Sequence, residues 1–93
     1  QRYDLAANAF ETALTVLPQD AVALEGRKKA HLALQRWDAA LAACDALLAA
    51  NPNDLESLLD RGFVLARLDR KADAVDALDR FLARLPQDLA ASA

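Results

Sequence analysis

Pro52-Asn53-Asp54 decides the fold, because it recurs. Pro18-Gln19-Asp20 lies 34 residues before it and Pro86-Gln87-Asp88 lies 34 residues after it. A fixed period of that length marks an array of helix–turn–helix units, each burying its apolar face against its neighbours. The tripeptide supplies a boundary mechanism. Proline disfavours the α conformation of the preceding residue, so helices end near Leu17, Asn51 and Leu85. The aspartate two residues on then accepts hydrogen bonds from the unpaired N–H groups of the next helix. Asp20, Asp54 and Asp88 are the expected caps.

Working outward, apolar residues recur at three- and four-residue steps. Leu5, Ala9, Ala13 and Val16 form one such series, flanked by Phe10, Leu14 and Leu17. The spacing predicts helices over 3–16, 21–34, 37–50, 55–68 and 72–85, a sixth starting near Asp88, and no strand. Gln35-Arg36-Trp37-Asp38 and Asp69-Arg70-Lys71-Ala72-Asp73 lack Gly and Pro and join helices within a unit. Links this short make antiparallel pairs.

Composition bounds the rest. Ninety-three residues make one small domain at most, and 55% hydrophobic content with 5% aromatic means a core largely of alanine and leucine. Both favour helix. A net charge of −3 from 11 basic and 14 acidic residues gives no footprint for nucleic acid or anionic lipid. The apolar run Ala39 to Cys44 is too short to insert directly into a membrane. One cysteine excludes an internal disulfide. The absence of a starting methionine reads as a piece of a longer chain.

The residues now resemble the tetratricopeptide repeat, whose unit reads W-x2-L-G-x2-Y, A-x3-F and P. Residues 55–88 give Leu58-x2-Arg61-Gly62-x2-Leu65, Ala74-x3-Leu78 and Pro86. Residues 21–54 give Leu24-x2-Arg27-Lys28-x2-His31, Ala40-x3-Cys44 and Pro52, and residues 1–20 give Ala6-x3-Phe10 and Pro18. The resemblance implies an all-α, right-handed superhelical stack of helix–turn–helix repeats. It divides the chain into a second helix at 1–20, full repeats at 21–54 and 55–88, and the start of a further helix at 89–93.

Departures from the pattern carry expectations. Lys28 stands where a small residue is usual, opposite Ala40, so its stem snorkels outward or the helices part. Arg27 and Arg61 replace leucine; their stems cover apolar surface while their heads reach acids. Phe81 replaces alanine and asks for a hollow. Gly26 inside a helix costs roughly 1 kcal/mol relative to alanine. Without a preceding first helix, Phe10 and Leu14 are expected on an exposed apolar face that favours association.

No residue set points to catalysis, a cofactor or a metal. His31 and Cys44 fall on interior positions with no third ligand or orienting acid at matching spacing. Asp73, Asp76 and Asp79 read as one exposed helix face, and Tyr3 and Trp37 as packing residues. Gly26 and Gly62 form no phosphate loop.

One constellation remains. In the family the resemblance names, first helices line a concave groove for extended peptides. The carried-over positions are Val22, Glu25, Gly26, Lys29, Leu32 and Ala33, then Glu56, Leu59, Asp60, Phe63, Ala66 and Arg67. The same positions also suit plain solvated helix faces. Against that, Leu59 and Phe63 form an i,i+4 apolar pair with no reason inside the repeat to be apolar. Glu25, Glu56 and Asp60 stand where the family's carboxylate clamp carries lysine, asparagine and arginine, so they would repel a carboxylate.

The reading is a non-catalytic scaffold that binds another protein or peptide through Glu25, Lys29, Leu32, Glu56, Leu59, Asp60, Phe63 and Arg67. Two others stay open. One is an accessory segment of a larger bacterial enzyme or secretion machine, by likeness to repeats in glycosyltransferases and exopolysaccharide exporters. The other is self-association through exposed repeat ends.

Overall fold

Five helices, each beginning where a cap or a short turn places it, account for nearly all of residues 2–85, which the computed structural model describes. They are α1 (Tyr3–Val16), α2 (Ala21–Ala33), α3 (Trp37–Ala50), α4 (Leu55–Arg67) and α5 (Lys71–Ala83). Among the described residues there is no strand. Only α5 departs from its expected bounds by more than a residue, closing at Ala83 because the backbone tightens through Arg84 and Leu85. The expected sixth helix, the Asp88 cap and Pro86 lie outside the described residues.

The proline turns work as the sequence implies. Pro18 and Pro52 lie between helices. Asp20 Oδ1 accepts from the Val22 N–H at 3.0 Å, and Asp54 caps α4 by accepting from the Ser57 N–H at 3.4 Å. The Ser57 hydroxyl also donates to Asp54 at 2.8 Å, so this buried serine is satisfied locally.

The turns within the units use a different device. Gln35 and Asp69, one period apart, both adopt positive φ, at 58° and 60°. In each turn two N–H groups fold back onto the helix: Gln35 to Leu32 O and Arg36 to His31 O, then Asp69 to Ala66 O and Arg70 to Leu65 O. This closure satisfies the last carbonyls, but the left-handed residue pays a steric penalty that glycine avoids. Gln35→Gly is therefore expected to stabilise the chain by about 1 kcal/mol in chemical denaturation. An unchanged or lowered midpoint would show that the turn is not left-handed at Gln35.

Among the described residues, helix backbones approach closely only between chain neighbours: α1 with α2, α2 with α3, α3 with α4, and α4 with α5. Alanine makes that possible. Ala7, Ala40, Ala43, Ala74 and Ala77 are all buried, and Leu65, Ala74 and Ala77 form a core cluster with Leu41 against it. Large residues sit over small ones. A Cβ on Gly62 would lie 3.0 Å from the Leu78 side chain, and one on Gly26 would lie 2.3 Å from the Phe10 ring. The helix-weakening glycine at position 26 thus has a cause, since the ring occupies the space of its missing side chain.

Arg27 and Arg61 behave as expected. Each is mostly buried, and its head crosses to the preceding helix. Arg27 meets Glu11 at 3.0 Å and Arg61 meets Asp45 at 2.7 Å, the same ion pair repeated one period on.

Three expectations need correction. The Lys28 stem does not snorkel outward: the residue is fully buried, held by carboxylates described below. Phe10 and Leu14 are half-buried, Phe10 against Gly26, and the large aliphatic residues left exposed are Leu5 and Val16 of α1 and Leu17 just after it. Tyr3 is exposed rather than packed.

Candidate functional site

The face shared by α2 and α4 is organised around one buried cation. Lys28 leaves α2 where a small side chain would let α3 close in, and no part of it reaches solvent. Its Nζ lies 2.8 Å from Glu25, one turn back on α2, and 3.0 and 2.9 Å from Glu56 and Asp60 on α4. The two helices share no close backbone contact, so this ammonium joins them across the floor of the face. Burial alone would lower the Lys28 pKa, but Glu25, Asp60 and Glu56 outweigh it and hold the ammonium well above its ordinary 10.5. The same contact holds the Glu56 carboxyl below its usual 4.5, with a smaller contribution from Glu25.

A long residue at Lys28 requires a short one opposite. Gly62, one period later, faces Leu78; Lys28 at the equivalent place has Cys44 where Leu78 would stand. The small thiol and Ala40 leave room for the lysine stem. Cys44 is fully buried, and burial, reinforced by Asp60, pushes its thiol up to about 12 despite the pull of Lys28. It is a packing residue, not a nucleophile.

His31 is likewise interior. Its Nε2 lies 3.9 Å from Glu11, its Nδ1 has no partner, and burial holds its pKa below the ordinary 6.5 against that carboxylate. Among the described residues no group of three or more His, Cys, Asp or Glu side chains is placed to hold a metal ion, and no helix is long and apolar enough to cross a membrane.

The other residues expected on this face divide into two groups. Lys29 is exposed, and with Phe10, Ala21, Val22, Glu25 and Gly26 it lines a hollow of about 510 Å³. Leu32 is half-buried and Leu59 is 45% exposed. Phe63 is half-exposed, yet it does have a partner inside the chain: its ring meets Trp37 of α3 edge-on at 5.7 Å. The Arg67 guanidinium lies 5.2 Å from the centre of the same indole. Phe63, Trp37 and Arg67 therefore form a ridge at one end of the face, and Leu59 and Val22 are the apolar groups without such a partner.

Sequence reasoning placed Lys28 outside the site and Trp37 among plain packing residues. The signal for Lys28 was present: one lysine on the close-packed side of α2, with carboxylates at Glu25, Glu56 and Asp60 at helical spacing around it.

Two family models described as Tetratricopeptide repeat match the chain, one over residues 28–93 and the other over residues 1–54. The chain belongs to the tetratricopeptide repeat family. Such repeats are generally protein–protein interaction modules and typically non-catalytic scaffolds. No curated protein matches the sequence. Within the family pattern, this tetratricopeptide repeat chain is distinguished by Lys28 in a small-residue position and by the three carboxylates that neutralise it.

Proposed function

We propose that this chain is a non-catalytic binding module that takes a segment of another protein along the α2–α4 face. We divide it into repeats at 21–54 and 55–88, so that α2 and α4 are the two first helices. The observation that supports the reading is the exposure of Val22 and Leu59 beside an ion network that fixes the distance between the helices. Apolar groups held open on a rigid scaffold suit an extended guest, because ordering costs are met before binding.

The test is selection of binders from an unbiased octapeptide library with blocked termini, followed by NMR mapping of the bound site. Amide shifts should concentrate on residues 22–32 and 56–67, and Leu59→Asp should weaken binding at least tenfold, the value of one lost apolar anchor. Shifts confined to the outer faces of α1 and α5, or no binder at all, would refute the groove.

A further inference from the structure

This inference rests on the reading of the α2–α4 face as a peptide groove. We propose that the segment it takes carries a basic side chain, lysine or arginine, two residues from an apolar one, and that acidic segments are rejected.

The argument starts from what a guest would meet. Three carboxylates converge on the groove floor, and the one ammonium among them can offset only one. That ammonium is wholly buried, so it offers nothing to an incoming anion. What faces outward is carboxylate: the Glu56 side chain is 58% exposed and can turn its second oxygen to a guest. Glu25 Oε1, 2.8 Å from Lys28 Nζ, is itself buried, so Glu56 is the carboxylate that a guest meets first. Lys29 is close enough for Glu56 to feel its charge; with it and the buried Lys28 set against Glu25, Glu56 and Asp60, the patch keeps one net negative charge, while the exposed Arg67 lies at the Trp37 end of the face. The charge logic is thus complementary to a cation and opposed to a chain-terminal carboxylate.

The apolar half of the motif follows from position. Leu59 lies between Glu56 and Asp60 in sequence and is half-exposed. Val22 and the hollow floored by Phe10 and Gly26 lie beside Glu25. An extended segment points every second side chain to the same side, so a basic group over Glu56 puts the residues two positions away within reach of these apolar stations.

The octapeptide library, blocked at both termini so that no free carboxylate or amine competes, supplies the probe. Groove binders should be enriched in lysine or arginine two positions from an apolar residue and depleted in aspartate and glutamate. For one such peptide, changing the basic residue to glutamine should cost about three- to fivefold, and Glu56→Gln should erase that difference. Raising the salt should shrink it. Groove binders with neutral or acidic preference would overturn the inference while leaving the groove in place. Binders that map away from α2 and α4, or none, would remove both.

Discussion

Replacing Lys28 with methionine is expected to lower the unfolding free energy by about 3 kcal/mol at neutral pH, the lower end for breaking a buried ion pair. The methionine fills the stem's volume, so the loss is electrostatic. It leaves Glu25, Glu56 and Asp60 facing one another without their cation. For a chain of this size the thermal midpoint should fall by at least about 12 °C.

The pH dependence carries the sign. In the native protein Glu56 is depressed, so its contribution is present above about pH 4.5 and fades as the pH falls through the lower folded value. Lys28 is raised, so its contribution is full below 10.5 and is lost only as the pH climbs through the higher folded value. The variant should reverse the acid limb, gaining stability from pH 7 toward pH 4 as protonation relieves the repulsion. Adding Glu56→Gln and Asp60→Asn to Lys28→Met should restore most of the loss. A Lys28→Met chain as stable as the parent across this range would mean that the ammonium lies in solvent.

Gly26→Ala is expected to destabilise by up to about 2 kcal/mol, although alanine is the better helix former by about 1 kcal/mol. The added methyl group would fall 2.3–2.6 Å from the Phe10 ring, a position no side chain can share. Either the ring leaves its seat or α1 shifts, and overpacking of this kind costs about 1–3 kcal/mol. In a Phe10→Ala background the clash is gone, and the same substitution should become stabilising. That change of sign, measured in denaturant as a double-mutant cycle, isolates the contact. Additive effects would show that Phe10 does not rest on α2.

The architecture was legible because its signals are local and repeated. Asp20 and Asp54 cap their helices for the reason the Pro-x-Asp tripeptide suggests, and Arg27 and Arg61 reach acids on the preceding helix. What the sequence concealed were matters of partner choice across helices. Gly26 read as a helix defect until Phe10 was found over it. Lys28 read as a misfit because its compensation lies in Cys44, one residue type smaller than the pattern asks, and in acids on a helix 28 to 32 positions away. Phe63 read as unpartnered because Trp37 approaches it from the start of α3, a contact that depends on how the helices cross rather than on periodicity. The candidate groove residues are legible as a helix face, but their division into ion network, aromatic ridge and free apolar groups depends on how the helices cross.

The claim on which the proposed groove's geometry and charge both depend is that Lys28 is a buried, protonated tie between α2 and α4. The direct measurement is an NMR titration of the Lys28 side chain, following its Cε and Nζ resonances from pH 7 to pH 11. The ammonium should give a sharp, slowly exchanging signal with contacts to Glu56 and Asp60, and it should show no titration up to pH 11. A Lys28 that exchanges rapidly and titrates at or below its ordinary 10.5 would contradict the buried tie.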